Sequence, residues 1–296
     1  MNVKERSHRT PERVDWANVE LPETWADRMT RHPLSALINM LRHPFRKRRK
    51  IVLPEDLPGR DRIPKYALLE FHHLPNGNYS DRVSRGYITG FERSMLGAMP
   101  WLRGRIAEDL ADHDVVLDIG SGGGKTVNHL RSKGHSEVWG LEPSPYLLRH
   151  ACRDYPEDRF VQGVMEDIPF GSEYFDAVSV SFVLHEMPPH YIRKGLAEIW
   201  RVLKPGGRLL VGEPSPAHYR SGLLEAIQRW GWRGLYFRTL SRKLHEPYIR
   251  AWHGMDFAAA LEAQGFKVLT VDEGMPVKYW VIEKTDAAEN PAPSPP

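Results

Sequence analysis

A carboxylate followed by glycine at every second position, then a lysine, makes up Asp118-Ile119-Gly120-Ser121-Gly122-Gly123-Gly124-Lys125. The apolar run Val115-Val116-Leu117 before it reads as a strand buried on both faces. Glycines supply positive φ and a surface without Cβ, so the turn serves to admit a nucleotide-like ligand that meets the Asp118 carboxylate. A second acid, Glu142, ends Val138-Trp139-Gly140-Leu141 and lies 22 residues beyond Gly120, the distance at which an acid after the second strand takes two ribose hydroxyls. His185 follows a further apolar run, in Phe182-Val183-Leu184-His185-Glu186-Met187. An imidazole titrating near about 6.5 can take a proton from an acceptor hydroxyl, or it can bond to backbone and shape a pocket.

Spacing separates three nucleotide-binding readings. A phosphate loop needs Gly, four residues, then Gly-Lys-Ser/Thr; Gly124-Lys125-Thr126 supplies the end, but the first glycine would fall at Ile119. A dinucleotide fingerprint counted from Gly120 places Lys125 where the third glycine normally allows close helix packing. The pattern Asp-x-Gly-x-Gly-x-Gly at a strand end fits without adjustment, and it resembles the first motif of the class I S-adenosylmethionine (SAM)-dependent methyltransferases. Leu203-Lys204-Pro205-Gly206-Gly207-Arg208-Leu209-Leu210-Val211 resembles the segment before the fifth strand of that family. Asp167-Ile168-Pro169-Phe170 and Tyr174-Phe175-Asp176-Ala177-Val178 are similar to blocks of its type 11 branch, which includes the C-methyltransferases of ubiquinone and menaquinone synthesis.

The resemblance implies an α/β, Rossmann-like doubly wound sheet, mostly parallel with an antiparallel last strand, and SAM as the cofactor. It implies that Asp118 and the loop of Gly120, Ser121, Gly122 and Gly124 hold the methionine and ribose portion, and that Glu142, with Pro143 beside it, takes the ribose hydroxyls. The family usually has an Asp after the glycine of its third strand, whereas Val164 follows Gly163 here. Adenine recognition is left to Glu166 or Asp167, next to Met165, or to main-chain groups; the bland alternative is that the two acids cap a turn before Pro169. For Asp118 the bland alternative is a helix N-cap. His185 stands where the family often places a histidine near the transferable methyl, and Glu213 either faces the acceptor or only terminates its strand.

The implied activity is methyl transfer to a small organic acceptor at oxygen, carbon or nitrogen, aromatic or polyketide-like by analogy with the quinone enzymes. An NAD(P)-dependent oxidoreductase would use the same loop and Glu142, but Lys125 and the 203–207 block argue against it. A non-catalytic SAM-binding partner subunit would keep the cofactor residues and lose the acceptor pocket. His190, His218, His245 and His253 show no ligand-like spacing, so the sequence predicts no metal site.

The elements that must position these groups follow from periodicity. Strands are predicted at 115–119, 137–142, 159–162, 175–181, 208–213, 266–272 and 277–283, with a turn at Glu273-Gly274-Met275-Pro276 reversing the last. Apolar residues at Tyr87, Phe91, Met95, Leu102, Ile106 and Leu110 predict two helices divided by Pro100. Residues 1–78 read as an N-terminal extension with a helix at 34–41 and a basic run at 46–50, 79–284 as the methyltransferase domain, and 285–296 as a disordered tail. Residues 216–253 are surplus to the minimal fold and predict a helical cap whose Trp230, Trp232, Tyr236, Phe237, Tyr248 and Trp252 in part line a pocket.

Over 296 residues, a net charge of +3 gives no strong nucleic-acid signal. The single cysteine, Cys152, excludes an internal disulfide and suits a reducing cytoplasm. No apolar run reaches the roughly 18 residues that a membrane span needs, so a cytoplasmic protein is expected, and nothing in the chain sets its oligomeric state.

Overall fold

A computed structural model describes residues 11, 14–31, 50–72, 74–244 and 246–285. The predicted helix at 34–41, the basic run up to residue 49, His245 and the tail from 286 lie outside the described residues. Seven strands, β1 (Val115–Ile119), β2 (Glu137–Glu142), β3 (Arg159–Gln162), β4 (Phe175–Ser181), β5 (Leu203–Pro214), β6 (Phe266–Asp272) and β7 (Val277–Lys284), form one sheet in the order β3-β2-β1-β4-β5-β7-β6. The first five are parallel, and β7 runs antiparallel between β5 and β6.

Alternation along the strands feeds two cores. Leu117, Ile119, Val178, Val180, Leu209 and Val211 point to one face, while Val116, Ala177 and Leu210 point to the other. The first face is covered by α6 (Pro189–Val202), α9 (Ile249–Gly254) and α10 (Phe257–Glu262). The second is covered by α3 (Ala98–Asp109), α4 (Lys125–Ser132) and α5 (Pro145–Asp154). Leu102, Ile106 and Leu110 of the predicted stripe are completely buried there, each contributing about 1.5–3 kcal/mol. Before the sheet come α1 (Trp25–Met29) and α2 (Asp81–Ser94), and after β5 come α7 (Pro216–Arg220) and the long α8 (Leu223–Lys243), kinked at Gly231.

Two sequence expectations need correction. The break between α2 and α3 is made by Leu96 and Gly97, whose φ values of 48° and 86° reverse the chain, and Pro100 sits in the first turn of α3 where its missing N–H costs nothing. Strand β5 starts at Leu203 rather than at 208, because Leu203 pairs with Phe175 before a register shift at Lys204–Gly207, where Gly206 has φ +71°.

Candidate functional site

The chain leaves β1 at its carboxyl end and is pinned at once, since the Gly120 and Ser121 N–H groups both donate to the Leu141 carbonyl at 2.8 and 3.1 Å. A Cβ on Gly120, at φ +69°, would lie 2.3 Å from Val183 Cγ2, so only glycine passes there. At Gly122, φ +52°, a Cβ would meet nothing closer than the Gly120 carbonyl at 3.9 Å, and this open side lines a cavity. Glu142, at the end of β2, accepts the Gly122 N–H at 3.0 Å and the Ser144 N–H at 2.9 Å. Burial pushes its carboxyl up to about 7 against the pull of those two bonds.

Of the residues the sequence proposes for cofactor binding, Gly120, Gly122, Glu142, Pro143 and Met165 line this cavity, together with Ile119, Leu141 and Val164. Asp118, Ser121, Gly124, Glu166 and Asp167 are not among its walls. Asp118 is buried beneath the loop and accepts the Ser179 hydroxyl at 2.7 Å, with burial raising its carboxyl to about 7. It caps no helix, for Gly124 holds that place at α4. The buried Ser121 hydroxyl has no hydrogen-bond partner among the described residues. Glu166 accepts the Tyr66 hydroxyl at 3.0 Å, which fastens the segment before α2 over the cavity; Asp167 is exposed and its N–H closes a turn onto the Val164 carbonyl before Pro169. The glycine wall and the Glu142 carboxylate held at the strand end are compatible with the cofactor that the sequence implies.

His185 is buried in a short turn, Leu184–Glu186, and its Nδ1 lies 2.7 Å from Glu213. Glu213 does not merely end its strand: it also accepts the N–H groups of Val183 at 2.8 Å, Leu184 at 2.8 Å and His185 at 3.3 Å, so one buried carboxylate fixes the whole turn. Burial opposes the imidazolium, but the Glu246 and Glu213 carboxylates outweigh it and raise the His185 pKa to about 9. The chain just before, at Phe182, has φ +58°, a conformation that non-glycine residues hold only where surrounding structure enforces it.

Three residues here escaped the sequence reading. His72 bonds Glu186 at 2.9 Å and stacks on Tyr87, and Glu246 lies 3.8 Å from both His72 Nδ1 and His185 Nε2 while accepting the Tyr219 hydroxyl at 2.9 Å. Glu186 stood next to His185 in the quoted motif, and that adjacency was the one available signal. His72 and Glu246 arrive from distant segments without any motif.

A second, larger cavity of about 650 Å³ adjoins the first, sharing Leu74, Tyr87 and Phe182 with it. Its walls are mostly apolar, from Val83, Phe91, Met95, Phe237, Leu240 and Leu244, with His72, His218, Tyr219 and Glu246 at the polar end. Of the six aromatics named for the cap, Phe237 lines this cavity and Trp230, Trp232, Tyr236, Tyr248 and Trp252 do not. Trp232 is 67% exposed, and Trp252 packs in the core edge-on to Phe257 and Trp280.

A family model described as a methyltransferase domain matches residues 117–211. An uncharacterized methyltransferase of Synechocystis sp. is 44% identical over 92 residues, 31% of this chain and 43% of that protein. A demethylmenaquinone methyltransferase of Deinococcus radiodurans is 35% identical over 145 residues, 47% of this chain and 56% of the relative. An erythromycin 3''-O-methyltransferase of Saccharopolyspora erythraea is 35% identical over 159 residues, 45% and 51% respectively. The chain spans about half the length of the curated relatives it matches. Among solved structures, a TehB-like SAM-dependent methyltransferase from Corynebacterium glutamicum aligns with a TM-score of 0.49 at 20% identity, over 69% of this chain and 98% of that one. The matched segment runs from inside β1 to inside β5, so residues 117–211 carry a methyltransferase domain.

Proposed function

We propose that this protein transfers the methyl group of SAM to a small organic acceptor bound in the larger cavity. The observation that carries the reading is the meeting of the two cavities at Leu74, Tyr87 and Phe182: a glycine-walled one with a ribose-type acid, and an apolar one large enough for an organic molecule. Bound SAM supplies an activated methyl on a sulfonium. The protein has then to hold the acceptor in line at about 3–3.5 Å and keep water out. Glu142 and the Gly120–Gly122 backbone orient the cofactor end, and Phe91, Phe182, Phe237 and Leu240 exclude water around the acceptor. His185 is buried and lines neither cavity; Glu246, which lines the larger one 3.8 Å from His185 Nε2, is the group placed to take an acceptor proton. The larger cavity is open rather than plugged, which favours an enzyme over a binding subunit.

Relatives named for demethylmenaquinone and for O-methylation of erythromycin extend the acceptor range to carbon and oxygen nucleophiles on organic molecules. Calorimetry with SAM, S-adenosylhomocysteine, NAD and ATP is the first test, and binding of the first two alone is expected. Tight NAD binding would overturn the reading in favour of an oxidoreductase. A screen of phenols, carbon acids and amines with methyl-labelled SAM then identifies the acceptor.

A further inference from the structure

We propose that His72, His185 and Glu186 form a site for a divalent transition-metal ion where the two cavities meet, and that the acceptor brings an oxygen donor to it; the second clause rests on the methyl-transfer reading. One ligand atom from each residue lies within 4.8 Å of the other two. Two imidazoles and a carboxylate with open positions are the donor set of catalytic zinc and of non-haem iron(II). His185 donates Nδ1–H to Glu213 at 2.7 Å, which leaves Nε2 as the coordinating nitrogen, the arrangement that orients metal-bound histidines. Glu213 is itself clamped by three backbone N–H groups, so the imidazole is aimed in advance. His72 is set against Tyr87 with ring centroids 5.9 Å apart.

Charge points the same way. The described ion pairs of Glu186, Glu213 and Glu246 all run to these two imidazoles, so three carboxylates face at most two positive charges in a buried junction. Buried charge is paired or coordinates a metal. A sulfonium would also relieve the surplus, but it has no use for an imidazole lone pair, and here two histidines converge. Both cavities reach the site, since Glu186 lines the first and His72 and Glu246 line the second.

An acceptor hydroxyl held by such an ion loses its proton near neutrality. The proton passes to the Glu246 carboxylate. The oxygen lone pair forms the new O–CH3 bond, the C–S bond breaks with its electron pair staying on sulfur, and neutral S-adenosylhomocysteine leaves. Spacing along the chain hid this site because His72 lies 114 residues before Glu186.

The test is titration of the chelator-treated full chain with Zn²⁺ and Co²⁺, followed by calorimetry and by the visible absorption of bound cobalt. One equivalent should bind, with affinity falling at least about tenfold in His72→Ala and Glu186→Gln, and about tenfold to a hundredfold in Glu213→Gln. S-adenosylhomocysteine affinity, measured alongside, certifies that each histidine variant is folded; should His72→Ala lose it, His72→Gln is read instead. Sub-stoichiometric binding, or binding that the His72 variants leave unchanged, overturns the site. If the chelated chain binds S-adenosylhomocysteine and transfers methyl groups at the full rate, the metal proposal fails and methyl transfer stands. If it binds no S-adenosylhomocysteine with or without metal, the methyl-transfer reading itself fails.

Discussion

The floor and the roof of the paired cavities obey different rules. The floor is made of strand ends that follow one another along the chain, Gly120 and Gly122 after β1, Glu142 and Pro143 after β2, Val164 and Met165 after β3. The roof gathers Tyr66, His72, Leu74 and Tyr87 from before the sheet and Phe237, Leu240 and Glu246 from after β5. On the floor, backbone geometry dictates residue type, so a side chain in the wrong place is a clash. On the roof, any apolar residue of suitable size fills the space, and identity is set by what the acceptor requires.

The largest effect is expected on the roof. Phe237 is buried against the second core while lining the larger cavity, so Phe237→Ala should cost about 3–5 kcal/mol of stability and most of the methyl transfer. S-adenosylhomocysteine binding by the folded fraction should stay near wild type. Urea denaturation and calorimetry on the same sample check this, and a parallel collapse of cofactor affinity would mean that floor and roof are one cooperative unit.

Two floor glycines sharpen the contrast. Gly120→Ala carries left-handed strain of about 1–2 kcal/mol and overpacking of about 1–3 kcal/mol against Val183, whereas Gly122→Ala carries the strain alone. Both should weaken S-adenosylhomocysteine, the first through the fold and the second by filling the cavity wall. Equal losses of stability in the two variants would contradict the packing described for Gly120.

Glu142→Ala should raise the S-adenosylhomocysteine dissociation constant about tenfold to a hundredfold, because a charge-assisted hydrogen bond is worth about 1.5–3 kcal/mol. The pH dependence has a definite sign. Its carboxyl is raised from 4.5 to about 7, so the free protein loses the Glu142 share of stability as pH climbs through that interval. A diol that donates to the ionised form therefore binds better as pH rises through about 7, by about tenfold between pH 6 and 8. Glu142→Gln should flatten that part of the profile, and an unchanged slope would assign it to Asp118, whose carboxyl is also raised to about 7.

These differences explain what the sequence revealed. The strands were legible because each contains a short apolar or alternating run, although β5 reaches back through Lys204–Gly207, and the floor was legible because Gly120 and Glu142 sit at fixed distances from strand ends. Asp118 was legible as special but not as buried: only the packing of β1 against β4 brings the Ser179 hydroxyl to it, away from the cavity wall. The α2–α3 break fell at Leu96–Gly97 rather than Pro100 because a proline in a first turn has no helical bond to lose. His72 and Glu246 carried no local signal, since a histidine and a glutamate acquire a role only when the fold brings them within 3.8 Å.

The smallest expected effect lies on the outer face of the cap. Trp232 follows the kink at Gly231 and is 67% exposed. A residue so placed gives up little area on truncation, so Trp232→Ala should change stability by less than about 0.5 kcal/mol and leave both cofactor affinity and methyl transfer intact. Trp252, buried between Phe257 and Trp280 in the same surplus segment, is the internal control that must respond. Thermal unfolding and labelled-SAM assays of the two variants compare them directly. If Trp232→Ala leaves stability untouched and yet removes methyl transfer, the exposed face of α8 takes part in delivering the acceptor, and the roof of the site extends beyond the cavity walls to the surface of the cap.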